Sequence, residues 1–160
     1  QLERCAELFA ELPPETMRIV VAHHHFAPCP DYIHDRTMPK ARRAIDSFVE
    51  QGVEMILGGH LHRSYIGNSL DFFPGTNRDR GITIVQCGTT TSSRGRGRER
   101  NENTFNLIDV GPHLLTVIHY LYFEKTGKFA PISQHLFPRM GRPGGPAHLA
   151  AANPFTTTES

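Results

Sequence analysis

Five of the ten histidines in this 160-residue chain fall in two short runs, His23-His24-His25 and His60-Leu61-His62. Imidazole nitrogen is a ligand that Mn, Fe, Co, Ni and Zn all accept, so such runs are candidate metal ligands. His60 and His62 stand at i and i+2, directly after Gly58-Gly59 and the apolar run Val53-Glu54-Met55-Ile56-Leu57. A His-x-His by itself is as readily a surface pair. Its place just past a buried strand is what turns the reading toward metal, because a strand edge is rigid enough to fix ligand geometry. A third chemistry-bearing stretch is Arg94-Gly-Arg-Gly-Arg-Glu-Arg100. Its cations could attract a phosphate-bearing substrate, with Arg94 and Arg96 foremost, or meet nucleic acid through backbone contacts. Glu99 and Glu102 partly neutralise it, no aromatic residue is interleaved for base stacking, and a solvated, mobile loop is the plainer reading.

The elements around these residues decide whether they can meet. Arg18-Ile19-Val20-Val21-Ala22 is a short apolar run that ends in the three histidines, and Pro28 stops any continuation of the strand. Between the two runs, Ala41, Ala44, Ile45, Phe48 and Val49 recur at helical spacing, which predicts a helix from Pro39 to Gln51 with Gly52 just past its end. Strand, helix and strand make a βαβ unit, whose right-handed crossover leaves the two strands parallel. Both histidine runs then lie at the carboxyl ends of neighbouring strands, the edge where open α/β sheets bind ligands. Gly58 and Gly59 are expected to make a tight turn that a Cβ would obstruct.

Other parts of the chain are less specific. Leu2, Cys5, Ala6, Leu8, Phe9 and Leu12 predict an amphipathic helix over 2–12, ended by Pro13-Pro14. After His62 no periodicity is clear through Arg80, and Asn68, Pro74-Gly75 and Asn77 read as turn signals. Ile82 to Gln86 reads as a third strand. Thr104 to Val110 and Leu114 to Phe123 read as a hairpin joined at Gly111-Pro112, and Phe129 to Phe137 as a further strand or extended arm. One domain over residues 1–137 is expected, followed by a flexible Gly/Pro/Thr-rich tail over 138–160.

Seventeen basic and sixteen acidic residues give a net charge of +1, so bulk charge indicates neither a nucleic-acid nor a membrane partner. Cys5, Cys29 and Cys87 are odd in number and widely spaced, which argues against a disulfide framework; small buried hydrophobes in a reducing compartment are expected instead. No apolar run reaches the roughly 18–20 residues that span a bilayer and no secretory signal opens the chain, so a cytoplasmic location is expected. The chain begins with Gln1 inside a helical pattern, which suggests a piece of something longer.

Taken together, Arg18-Ile-Val-Val-Ala-His23-His24, Gly59-His60-Leu61-His62 and the helix between them resemble the C-terminal half of the calcineurin-like metallophosphoesterases. Gln86-Cys-Gly-Thr-Thr, Arg94 and Asn103-Thr-Phe-Asn-Leu-Ile resemble the strand, basic loop and strand that follow in bacterial members. The resemblance covers residues 2–125. It implies an α/β fold, a partial sandwich with a mixed sheet and flanking helices whose N-terminal half is missing. It further implies a phosphoesterase, acting on monoesters or diesters through two divalent transition metals and a metal-bound hydroxide. His23 and His60 would hold one metal and His62 the other, with His24 orienting a neighbour or facing the substrate. The family's upstream Asp-x-His, Gly-Asp and Gly-Asn-His motifs have no counterpart here. This segment therefore carries no catalytic residue of its own, and alone should hold metal weakly and hydrolyse little. Its partners would be a phosphorylated substrate of unknown type and the missing half of the same domain.

Two rivals follow from the same residues. One is a non-catalytic remnant whose exposed apolar face serves as an interaction module. The other is a binder of phosphate-rich polymers through Arg94 to Arg100. His25 and His34 read as solvated or rim residues, and His113, His119, His135 and His148 as ordinary structural ones.

Overall fold

Residues 1–28, 36–73 and 80–139 are described by a computed structural model of the chain. Among these residues two α-helices and seven strands run in the order α1 (Leu2–Ala10), β1 (Ile19–Ala22), α2 (Ala41–Glu50), β2 (Met55–Gly58), β3 (Tyr65–Asn68), β4 (Thr83–Gln86), β5 (Thr104–Val110), β6 (Leu114–Phe123) and β7 (Lys128–Pro138). They build two sheets, a four-stranded one in the order β1-β2-β4-β3 and a three-stranded one in the order β5-β6-β7. β1, β2 and β4 are parallel and β3 runs antiparallel to β4. The α/β class with a mixed sheet and flanking helices, expected from the sequence, is the one observed.

The period-two strands sort their side chains between two cores. On one face of the mixed sheet, Ile56 and Ile82 meet Ala41, Ala44, Ile45 and Phe48 of α2, together with Phe26 and Val53. Leu2, Cys5 and Phe9 of α1 pack on the rim of this cluster, although no residue of α1 is fully buried. Arg18 joins the two helix ends: its guanidinium lies over the Phe9 ring and donates to the carbonyls of Phe9 and Gln51. A cation at two helix C-termini sits where the carbonyl dipoles favour it. On the other face, Met55 and Val85 meet Leu115 and Val117 of the antiparallel sheet, with Leu57, Ile66, Ile108 and Phe137 around them.

The helix begins later than the spacing predicts. Pro39 precedes it, Lys40 adopts a left-handed φ of 61°, and Ala41 is its first residue. Gly52 follows as expected, at φ 70°, with its N–H on the carbonyl of Val49. β3 falls in the stretch where the sequence shows no periodicity. Asn68, read as a turn signal, ends that strand and caps the 3-10 turn Ser69–Asp71: its Oδ1 accepts from the Leu70 N–H at 3.0 Å, and its own N–H donates to Asp71 at 2.9 Å.

The hairpin at Gly111-Pro112 is present, and β7 adds to it antiparallel along β6, with a bulge beside His119 and Tyr120. Arg139, just past β7, pairs with Glu54 at 2.7 and 2.9 Å and donates to the Gly111 carbonyl, tying the two sheets together. Cys5 is half-buried, but Cys87 is exposed, contrary to the expected buried role; Cys29 lies outside the described residues. Among the described residues, no helix is long and apolar enough to cross a membrane.

Candidate metal centre

Parallel register fixes where the histidines stand. Ala22 is level with Gly58, and Gly58 with Gln86, so three strands end in line. His23 begins one residue past β1, and His60 two residues past β2. Their rings meet: His60 Nδ1 lies 3.0 Å from His23 Nε2, and the ring centroids are 4.8 Å apart. At that distance one ring's N–H donates to the other's lone pair. The same separation is one that two imidazole nitrogens can share when each is about 2.1 Å from a single ion.

His24 joins the group, with its ring 5.2 Å from that of His23 and 5.0 Å from that of His60, centroid to centroid. His25 departs from its expected solvated role. It is buried and stacks on His60 at 6.0 Å. As the side chains stand, no three His, Cys, Asp or Glu residues among those described are grouped to hold a single ion.

The turn itself differs from expectation in an informative way. Gly58 does lie under a neighbour, since a Cβ there would come 3.3 Å from the buried Gln86 amide. At Gly59 a Cβ would meet nothing within 4 Å. The unusual backbone belongs to the histidines instead: His60 has φ 72° and His62 φ 55°. Left-handed backbone at a non-glycine residue costs on the order of 1–2 kcal/mol. Two such residues, separated only by the buried Leu61, make this a locally strained turn, and strain of this kind gathers at functional sites.

His62 sits apart from the ring cluster and is held by the basic loop. Its Nδ1 is 3.1 Å from the carbonyl oxygen of Arg94, and its own carbonyl accepts from the Arg96 N–H at 2.9 Å. A carbonyl can only accept, so Nδ1 carries the hydrogen, and in the neutral ring Nε2 is then the lone-pair nitrogen. This is the arrangement usual for a metal-ligating histidine, whose second nitrogen donates to a backbone carbonyl. Arg94 and Arg96 touch His62 through their backbones, and both residues are exposed.

The four arginines of the loop are exposed, as a solvated loop would have them, but its acid is not. Gly97–Glu99 forms a 3-10 turn, and the Glu99 side chain is 14% exposed. Its carboxylate accepts from the Ser64 N–H at 2.9 Å, from the Ser64 hydroxyl, and from the Thr104 hydroxyl at 3.0 Å. His119, read as an ordinary late-strand histidine, is buried beside this group. It lies 3.1 Å from Ser64 Oγ and 3.6 Å from Glu99, and its Nδ1 donates to Asn106 Oδ1 at 2.7 Å. Burial lowers its pKa, with the Glu99 charge opposing and the His135 charge assisting.

Cys87 is exposed as a residue, but its sulfur is shielded. Partial burial of its thiol raises the pKa, against a hydrogen bond from Asn106 and together with the Glu99 charge. Sequence reasoning missed the Glu99 group because its members lie in three separate segments. Only Glu99, a lone acid among four arginines, carried any signal. His34 and His148 lie outside the described residues.

Comparison with known proteins adds similarity of shape only. Wild-type Vps29 complexed with Zn2+ from Entamoeba histolytica is 16% identical over 66% of this chain and 51% of that one, with a TM-score of 0.40. Vps29 from Chaetomium thermophilum is 17% identical over 64% and 51%, with a TM-score of 0.41. A double mutant of the Entamoeba histolytica protein is 18% identical over 60% and 47%, also at 0.41. The chain thus spans about half the length of these solved structures. Likeness at this level assigns neither family nor activity. No protein-family model matches the chain, and no curated protein does.

Proposed function

We propose that this chain carries the histidine-rich part of a dinuclear metal centre that hydrolyses phosphoesters. His23 and His60 would hold one divalent transition metal and His62 the other. The single observation that carries this reading is the 3.0 Å approach of His60 Nδ1 to His23 Nε2, across 37 residues of sequence, at the carboxyl ends of the parallel strands β1 and β2. Divalent metals bound there would supply Lewis-acid polarisation of the phosphoester and activation of water.

The chain's own residues divide the remaining work. The His62 Nδ1–H bond to Arg94 leaves one nitrogen available as ligand. Arg94 and Arg96, exposed beside it, lend positive charge toward an anionic substrate. His24 lies close enough to His60 to orient it or to face the substrate. Three neutral imidazoles offer no negative charge to balance two cations. Carboxylate ligands from a further segment of the same domain complete the set in this proposal, and the chain alone binds metal weakly.

Cobalt(II) tests the reading, because its visible absorption reports ligand number. The wild-type chain should bind Co(II) with imidazole-type bands, and His60→Ala or His23→Ala should abolish them. An absence of binding by the folded wild-type chain even with Co(II) in large excess, or binding that survives His60→Ala, would remove the metal reading.

A second reading is favoured by one feature. β1 is an edge strand whose Val21 is 77% and Ile19 40% exposed, an apolar edge with no charged residue on it. A non-catalytic interaction module would use that edge. It is the reading left standing if the folded chain binds no metal.

A further inference from the structure

The contacts around His62 form a closed ring of interactions. Leaving His62, two peptide bonds lead to Ser64, whose N–H and hydroxyl both go to the Glu99 carboxylate. From Glu99 the loop runs back to Arg96 and Arg94, whose N–H and carbonyl return to His62. The outer end of the ring is fixed as well. Thr104, fully buried at the start of β5, donates to the second carboxylate oxygen. His119 on β6 lies against Ser64, and Asn106 links His119 to the Gln86 carbonyl of β4. Glu99 thus bonds both to Ser64, two residues after His62, and to Thr104 of the second sheet.

We propose that Glu99 is a positioning residue. Its buried carboxylate closes the Arg94–Glu99 loop onto residues 62–64, so that the Arg94 carbonyl holds His62 as its Nδ1–H tautomer and keeps Nε2 as the lone-pair nitrogen. The functional sense of this rests on His62 being a metal ligand; the tautomer itself does not. Free neutral histidine favours the other tautomer, so loosening the clamp has a definite spectroscopic direction.

Nitrogen-15 spectra of the histidine side chains, recorded on the full metal-free chain at pH 8, read the tautomer directly. Wild type should show His62 as one tautomer, with hydrogen on Nδ1. In Glu99→Ala the Nε2–H form should become the major one. In Glu99→Gln, where an amide can still accept from Ser64 and donate to Thr104, the wild-type tautomer should return. The His23 and His60 signals should stay in place in both variants. A folded Glu99→Ala chain with an unchanged His62 tautomer would overturn the proposal. If that variant does not fold, Thr104→Val loosens the same carboxylate from its other side and should mix the tautomers. An unmixed spectrum there would be equally fatal.

Zinc titration of the same samples separates this inference from the metal reading. Loss of an outer hydrogen-bond partner commonly weakens a metal site about 10–100-fold. A tautomer that responds to Glu99→Ala in a chain that takes up no zinc would sink the metal reading and leave the clamp. Zinc uptake at His62 that is equal in wild type and Glu99→Ala would sink the clamp and leave the metal reading.

Discussion

Replacing Gly88 with alanine brings one methyl group against the group that secures the His62 loop. A Cβ built there would lie 2.2 Å from Glu99 Oε2 and 2.4 Å from Thr104 Oγ1, distances no real contact tolerates. Backbone strain does not enter, because Gly88 is not among the positive-φ glycines. The carboxylate must move away by about 1 Å to reach ordinary contact, which breaks the 3.0 Å bond from Thr104 and stretches the 2.9 Å bond from Ser64. A hydrogen bond to a charged group is worth about 1.5–3 kcal/mol, and the fully buried Thr104 hydroxyl left behind has no water to turn to. Against this stands the gain of about 0.4–1 kcal/mol that Gly→Ala gives by restricting the unfolded chain.

The net expectation for Gly88→Ala is a loss of about 1–3 kcal/mol. Gly59→Ala is the matched control, since its Cβ meets nothing within 4 Å. It should be neutral or stabilised by up to about 1 kcal/mol. Urea unfolding of the three chains measures both, with a loss of this size moving the midpoint by about 1 M. A Gly88→Ala chain as stable as wild type, or a Gly59→Ala chain equally damaged, would refute the reasoning about this turn.

Three further outcomes are expected. Because burial lowers the pKa of His119 in the folded state below its ordinary 6.5, the unfolded chain takes the proton first on acidification. Its contribution to stability is therefore complete above about pH 6.5 and declines as pH falls below that value. The urea midpoint should drop between pH 7 and 5 more steeply in wild type than in His119→Gln, and equal slopes would contradict this.

Met55→Ala, at a fully buried position between the sheets, should cost about 2–5 kcal/mol by calorimetry or urea unfolding. A loss below 1 kcal/mol would mean the two sheets do not share that core. Arg139→Ala removes both bonds to Glu54 and the one to Gly111, and should cost about 1–3 kcal/mol. In a double-mutant cycle with Glu54→Ala the double variant should lose less than the sum of the two single losses, and additive losses would show that the pair contributes nothing.

The parallel pairing of β1 and β2 was legible because a helical pattern lay between two apolar runs, and one crossover hand is overwhelmingly preferred. That pairing alone brought His23 to His60, which no spacing in the sequence would suggest. β3 was not legible: Tyr65 and Ile66 are followed at once by Gly67 and Asn68, too short a run to show period-two alternation. It exists because β4 offers it an edge.

The two glycines before His60 were read by composition, whereas only Gly58 meets a neighbour, and the left-handed backbone falls on His60 and His62. His119 and Glu99 could not be foreseen as partners, because 20 positions of sequence and the whole of strand β5 separate them. Hydrogen bonds between distant segments leave no local pattern. The loop from Arg94 is a similar case: its exposed charge is visible in the sequence, and the Glu99 carboxylate that ties it to Ser64 and Thr104 is not.

Nitrogen-15 spectra of the histidine rings during zinc titration test most directly whether one ion is shared across the sheet edge. His23 Nε2 and His60 Nδ1, bonded to each other at 3.0 Å without metal, should both lose that bond and shift with one common midpoint. Shifts of only one of the two nitrogens, or two separate midpoints, would contradict a shared ion and with it the proposed centre.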